Sequence, residues 1–200
     1  MTSRRRLLAV LLLAPALGAG GCHSPVGRST PEDALVASGA YDVIGGFDVP
    51  EVDGAQGCGA QALATVLASL DPDADASGLA ADLPWHDLGA TPVDLLLEAR
   101  RRGCEARVAA GTLPALADAV ANERRVLVML DVGVEVRTIT MRIPSTKVMH
   151  WGVLSGIARD GSAVLLAATG GRHHVVARDD FLRRWARSDG CMITVAGAPR

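Results

Sequence analysis

The sequence predicts an α+β domain, with helices gathered in its first half and a mostly antiparallel sheet in its second. Three observations carry this expectation. The run CGAQALATVLASL, residues 58–70, places Leu63, Val66, Leu67 and Leu70 on one helical face. Thr91-Pro92 is a helix start, an N-cap followed by proline at the first helical position. After residue 124 the pattern changes to short apolar runs separated by turns, among them Asp160-Gly161.

Taken in order, FDVPEV (47–52) reads as an extended entry held by Pro50. The helix from Cys58 ends at Asp71-Pro72, because proline disfavours helical backbone in the residue before it. Ser77 can cap a short helix, GLAADL, that stops at Pro84. The Thr91-Pro92 helix runs to Gly103, with Arg100, Arg101 and Arg102 in its last turn, where the helix dipole favours cations. Strand candidates follow at 105–109, 125–131, 148–158, 162–168, 174–177 and 191–195, with helices expected at 113–122 and 179–187. Arg183, Arg184 and Arg187 read as a solvated helix face. Asp160 reads as a turn residue.

Composition narrows the function. Hydrophobic residues are 49% and charged residues 21%, a globular balance with few aromatics, so the core is expected to be Ala, Leu and Val. Aromatics at 3% argue against base-stacking readers of nucleic acid, and a net charge of −2 against polyanion partners. No GxxxxGK[ST] loop provides for a nucleotide, and no HxxxH or CxxC spacing provides for a metal; no cofactor is expected. His173 and His174 are adjacent, and on a strand would point to opposite faces.

The N-terminus reads as a targeting segment. Arg4, Arg5 and Arg6 precede an apolar run from Leu7 to Ala19, shorter than a membrane span requires. Gly18, Ala19, Gly20 and Gly21 then lead into Cys22, a stretch that resembles the lipobox of bacterial lipoproteins, in which the cysteine is acylated and becomes the mature N-terminus. The alternative is ordinary cleavage after Ala16 or Ala19. The expected organisation is a signal peptide over 1–21, a linker over 22–46 and a working domain over 47–200. Acylated at Cys22, the protein would sit on a membrane facing the periplasm. Outside the cytoplasm three further thiols remain, Cys58, Cys104 and Cys191. Cys104 and Cys191 are either a disulfide pair or two buried thiols.

Cys58 stands at the start of the best-defined helix. The N–H groups and positive dipole end there stabilise a thiolate and can hold an oxyanion. Gly57 and Gly59 flank it, allowing close approach of a substrate. His150 lies in an apolar strand, VMHWGVLSG, where an imidazole needs a partner. A cysteine at a helix start followed by a histidine on a later strand is the papain-like order of nucleophile and general base.

The segment DVPEVDGAQGCGAQALATVLASL resembles the nucleophile segment of bacterial double-glycine-leader (bacteriocin-processing) cysteine peptidases, and more closely that of their lipoprotein-borne relatives. MHWGVLSGIARDGSAVLL is similar to the histidine segment of that family, and the likeness covers about residues 47–196. It implies a papain-like cysteine peptidase fold, a peptide or protein substrate, Cys58 as nucleophile and His150 as general base. The family's oxyanion-hole glutamine maps, with a shorter loop, onto Gln56. The family's orienting aspartate falls in LLAATGG, where Ala167, Ala168 and Thr169 supply no carboxylate. That departure leaves a second reading, a degenerate domain of the same fold that binds peptide without cleaving it.

Overall fold

In a computed structural model the chain is described at residues 26–47, 49, 57–74, 78–84, 89–133 and 147–197. The targeting segment with Cys22, the residues around Gln56, and Ser77 lie outside the described residues. The order of elements is β1 (Arg28–Pro31), α1 (Glu32–Ser38), β2 (Tyr41–Val43), α2 (Gly57–Leu70), α3 (Leu79–Asp82), α4 (Pro92–Arg101) and β3 (Glu105–Ala110). Then come α5 (Leu113–Ala121), β4 (Arg125–Asp131), β5 (Met149–Ala158), β6 (Ala163–Ala168), β7 (Arg172–Ala177), α6 (Arg178–Ala186) and β8 (Cys191–Ala196).

The described strands form one sheet in the order β1-β7-β6-β5-β4-β8-β3, every pairing antiparallel, with β2 joined to the far end of β5. The α+β expectation therefore holds, although the two halves are not cleanly segregated. β3 leaves the helical half to pair with β8 at the sheet edge, and α6 lies between β7 and β8.

Local chemistry explains the helix ends. Thr91 and Asp94 form a capping box on α4: the Asp94 N–H donates to Thr91 Oγ1 and the Thr91 N–H donates to Asp94 Oδ2 at 2.8 Å. Thr112 caps α5 in the same way, its Oγ1 accepting from the Ala115 N–H. Helix α2 buries Ala60, Leu63, Ala64, Val66 and Leu67 completely and packs on β5 and β4. The core is built largely of Ala, Leu and Val, with Phe47, Trp151, Phe181 and Trp185 also buried. At the β5–β6 turn Gly161 takes a φ of +70°, and Asp160 Oδ1 accepts from the Ser162 N–H at 2.9 Å, which is the turn role expected of it.

One expectation is corrected. The stretch read as linker, 22–46, holds β1, α1 and β2 from Arg28 to Val43. These pieces are too short to show a period, and their backbone partners come from residues more than a hundred positions away, in β7 and β5. A buried trio adds to the join: His173 Nδ1 lies 2.7 Å from Ser155 Oγ and its Nε2 lies 3.1 Å from Glu32 Oε2. Of the two readings left open for Cys104 and Cys191, the structure shows free thiols. Cys191 faces Ala110 at one end of the β3–β8 ladder, while Cys104 Sγ meets the Gly197 carbonyl at the other. Five residue steps separate the two ends, about 17 Å, far beyond disulfide reach.

Among the described residues no helix is long and apolar enough to cross a membrane.

Candidate active site

Gly57 opens α2 with a φ of +79°, a left-handed turn that glycine adopts without strain, and Cys58 follows as the second residue of the helix. The helix start then rests on β5. The Trp151 main-chain N–H donates to Cys58 Sγ at 3.3 Å, and the Trp151 indole N–H donates to the Ala90 carbonyl at 2.9 Å. Gly59 permits this approach: a Cβ there would stand 2.7 Å from Ala90 Cβ and 3.2 Å from Trp151 Cδ1. An N–H aimed at the sulfur favours thiolate over thiol, in the same sense as the helix dipole.

His150 immediately precedes Trp151 on β5, opposite Leu130 of β4. Cys58 and His150 line one cavity of about 280 Å³, which the sequence could propose only as a pairing. Burial first, and His174 second, hold the His150 imidazole down at about 4. The ring is therefore neutral near pH 7 and able to accept a proton. A thiolate formed beside it would raise its proton affinity at the moment the proton moves.

The base of this strand is held by Asp131 on β4. Its Oδ1 accepts from the N–H groups of Gly133 and Val148, at 2.9 and 3.1 Å, and its Oδ2 accepts from Arg187 at 3.1 Å. Burial pushes the Asp131 carboxyl up, but these donors outweigh it and hold the group below its ordinary value. Arg187 is thus not simply part of a solvated helix face, and neither is Arg184, which reaches the Asp131 carbonyl. The sequence showed the three arginines but not the buried Asp131 carboxylate that Arg187 meets, while Arg183 pairs with Asp180 and stays exposed.

The histidine pair divides as the strand period requires. His173 and Ser155 are buried, with the partly exposed Glu32 as the third partner, and none of the three lines the cavity of Cys58 and His150. His174 lines the same cavity as Cys58 and His150, with Ala167, Ala168 and Thr169. None of the described lining residues is an aspartate or glutamate, so no described carboxylate orients His150 from the cavity wall. Among the described residues no group of three or more His, Cys, Asp or Glu is placed to hold a metal ion. His174, Arg172 and Ser29 were missed as cavity residues. Alternation indicated that one histidine of the pair faces away from the other, and only the register of β7 against β6 decides which one reaches the cavity.

With this geometry in view, the comparisons define a class. No family model and no curated protein matches the chain. Solved structures do. A protein described as a C39-like peptidase from Bacillus anthracis superposes with a TM-score of 0.58 at 16% identity, covering 80% of this chain and 97% of its own. The peptidase domain of Streptococcus ComA, a bi-functional ABC transporter of a quorum-sensing pathway, gives 0.54 at 17% identity, covering 78% of this chain and all of its own. A double-glycine-motif protease from an AMS/PCAT transporter, solved in complex with the leader peptide, gives 0.52 at 19% identity, with 76% and 95% covered. The chain has the papain-like α+β fold of C39-like peptidase domains.

Proposed function

We propose that this chain is an exported cysteine peptidase domain that hydrolyses peptide bonds through a Cys58 thioester. One observation carries the reading: Cys58, at the first turn of α2 with a main-chain N–H on its sulfur, shares a cavity with a neutral, partly buried His150. In the proposed reaction His150 takes the thiol proton as Cys58 Sγ attacks the scissile carbonyl carbon. The oxyanion lies against the N–H groups at the start of α2, with Gln56 as the side-chain donor. As the tetrahedral species collapses, the C–N bond breaks and His150 returns the proton to the leaving amine. Water, deprotonated by His150, then attacks the thioester and releases the acid and the Cys58 thiol. A substrate peptide fits this reading because a fold neighbour was solved with a leader peptide.

That no carboxylate lines the cavity among the described residues favours a second reading, a peptide-binding domain without chemistry. Alkylation separates the two. On the peptidase reading, Cys58 reacts with iodoacetamide at neutral pH at least tenfold faster than a free thiol, and His150→Gln removes most of that advantage. Burial pushes the Cys104 and Cys191 thiols up, so fast labelling should map to Cys58 alone by mass spectrometry. A peptide library cleaved by the wild type and left intact by Cys58→Ala completes the case. Labelling no faster than a free thiol, with no cleavage, leaves the binding reading.

Export and acylation are part of the proposal through the arginine–apolar–Gly-Gly-Cys22 pattern. Cells fed an alkyne fatty acid should label the wild type, and Cys22→Ser should abolish the label. Label that survives Cys22→Ser would sink the anchor.

A further inference from the structure

We propose that the end of the cavity remote from Cys58 is a subsite for a peptide carboxylate, formed by Arg172 with Ser29 and His174 beside it. This rests on the peptide-binding reading of the cavity given above.

The cavity runs from the start of α2 over β5 and β6 to β7 and β1. Gly152, Ala167 and Ala168, all small, line it where it crosses the sheet. β7 lies two strand spacings from β5, about 10 Å, which is the reach of about three residues of extended peptide. A peptide cleaved at Cys58 would therefore bring a group about three residues from the scissile bond over β7.

The chemistry at that end is one-sided. Arg172 Nε donates to Ser29 Oγ at 2.8 Å and its Nη2 donates to the Ser29 carbonyl at 3.0 Å, so the fork is held in place by neutral acceptors. Among the described residues no carboxylate lies within ion-pair distance of Arg172; the same holds for Arg28, Arg100, Arg107, Arg125 and Arg178, but of these Arg172 lines the cavity. No Asp or Glu lines the cavity among those residues either. A planar, pre-positioned guanidinium matches a carboxylate in charge and in fork geometry, with its remaining N–H groups as donors. The Ser29 hydroxyl can donate to the same anion. The carboxylate could belong to an acidic side chain or to a free C-terminus; the recognition chemistry is the same.

Binding to the full chain carrying Cys58→Ala tests this without depending on cleavage. Fluorescent alanine-based hexapeptides would carry one Glu at successive positions, or Gln in its place, or would end in a free or an amidated C-terminus. Anisotropy titrations should show at least one carboxylate peptide binding tenfold or more tightly than its neutral twin. Arg172→Leu should remove the difference, and Arg172→Glu should turn the preference to a Lys peptide. A gain at one internal position assigns an acidic side chain, and a gain only for the free terminus assigns the C-terminal carboxylate. Equal affinities within every pair, or no binding of any peptide, overturns the subsite. Should Arg172→Leu fail to fold, the paired peptides on Cys58→Ala alone decide. A clear carboxylate preference with no cleavage by the chain that keeps Cys58 would uphold the subsite and defeat the peptidase reading.

Discussion

Acidification from pH 7 to pH 4.5 should cost the wild-type protein about 2 kcal/mol more folding stability than it costs His150→Gln. The sign follows from linkage. In the folded chain His150 is held at about 4, whereas in the unfolded chain it returns to about 6.5. Between those values the unfolded state binds more protons, so stability falls as pH falls through this window and is fully present above it. The limiting difference is about 3 kcal/mol, of which most is expressed by pH 4.5. Asp131 and Glu98, whose carboxyls are held below their ordinary values, lose their contributions at lower pH. Comparing urea midpoints of the two proteins at each pH isolates the histidine. Parallel pH profiles would mean that His150 is not buried as a neutral ring. The same substitution should lower any peptide cleavage by a thousandfold or more, since it removes the proton acceptor and donor of both half-reactions.

Gly59→Val should destabilise the fold by about 3 kcal/mol and slow Cys58 alkylation together. The first branch carbon would meet Ala90 Cβ at 2.7 Å and Trp151 Cδ1 at 3.2 Å, and the added methyl groups have less room still. The gain from replacing a helical glycine is at most about 1 kcal/mol and does not offset this. Relief requires the start of α2 to lift from β5, and that motion stretches the bond from the Trp151 N–H to Cys58 Sγ. The loss of stability is read from the urea midpoint, and the change at the site from the alkylation rate measured well below that midpoint. A stable variant with wild-type alkylation would show that the helix start does not depend on this contact.

Much of the scaffold was legible without coordinates. The apolar stripe of α2, the Thr91-Pro92 start, the strand runs and the Asp160-Gly161 turn each leave a pattern in consecutive residues, and each appears within a residue or two of its expected place. The first strands escaped notice for the opposite reason. β1 and β2 have four and three residues, and their order comes from ladders to β7 and β5. Whether Cys104 and Cys191 pair stayed open in the sequence, because counting thiols cannot see that the two stand at opposite ends of one ladder.

At the candidate site the division is similar. By itself the sequence determined an α+β chain with a cysteine at a helix start and a histidine in a buried strand, because helix capping and hydrophobic period are local properties. Only the tertiary structure decided that the two line one cavity, that His174 and Arg172 join them while His173 turns to Ser155 and Glu32, and that Arg187 reaches Asp131. The reason is register. A shift of one residue along a strand sends a side chain to the other face, and the alignment of β7 on β6 and of β5 on β4 is set by the packing of the whole sheet.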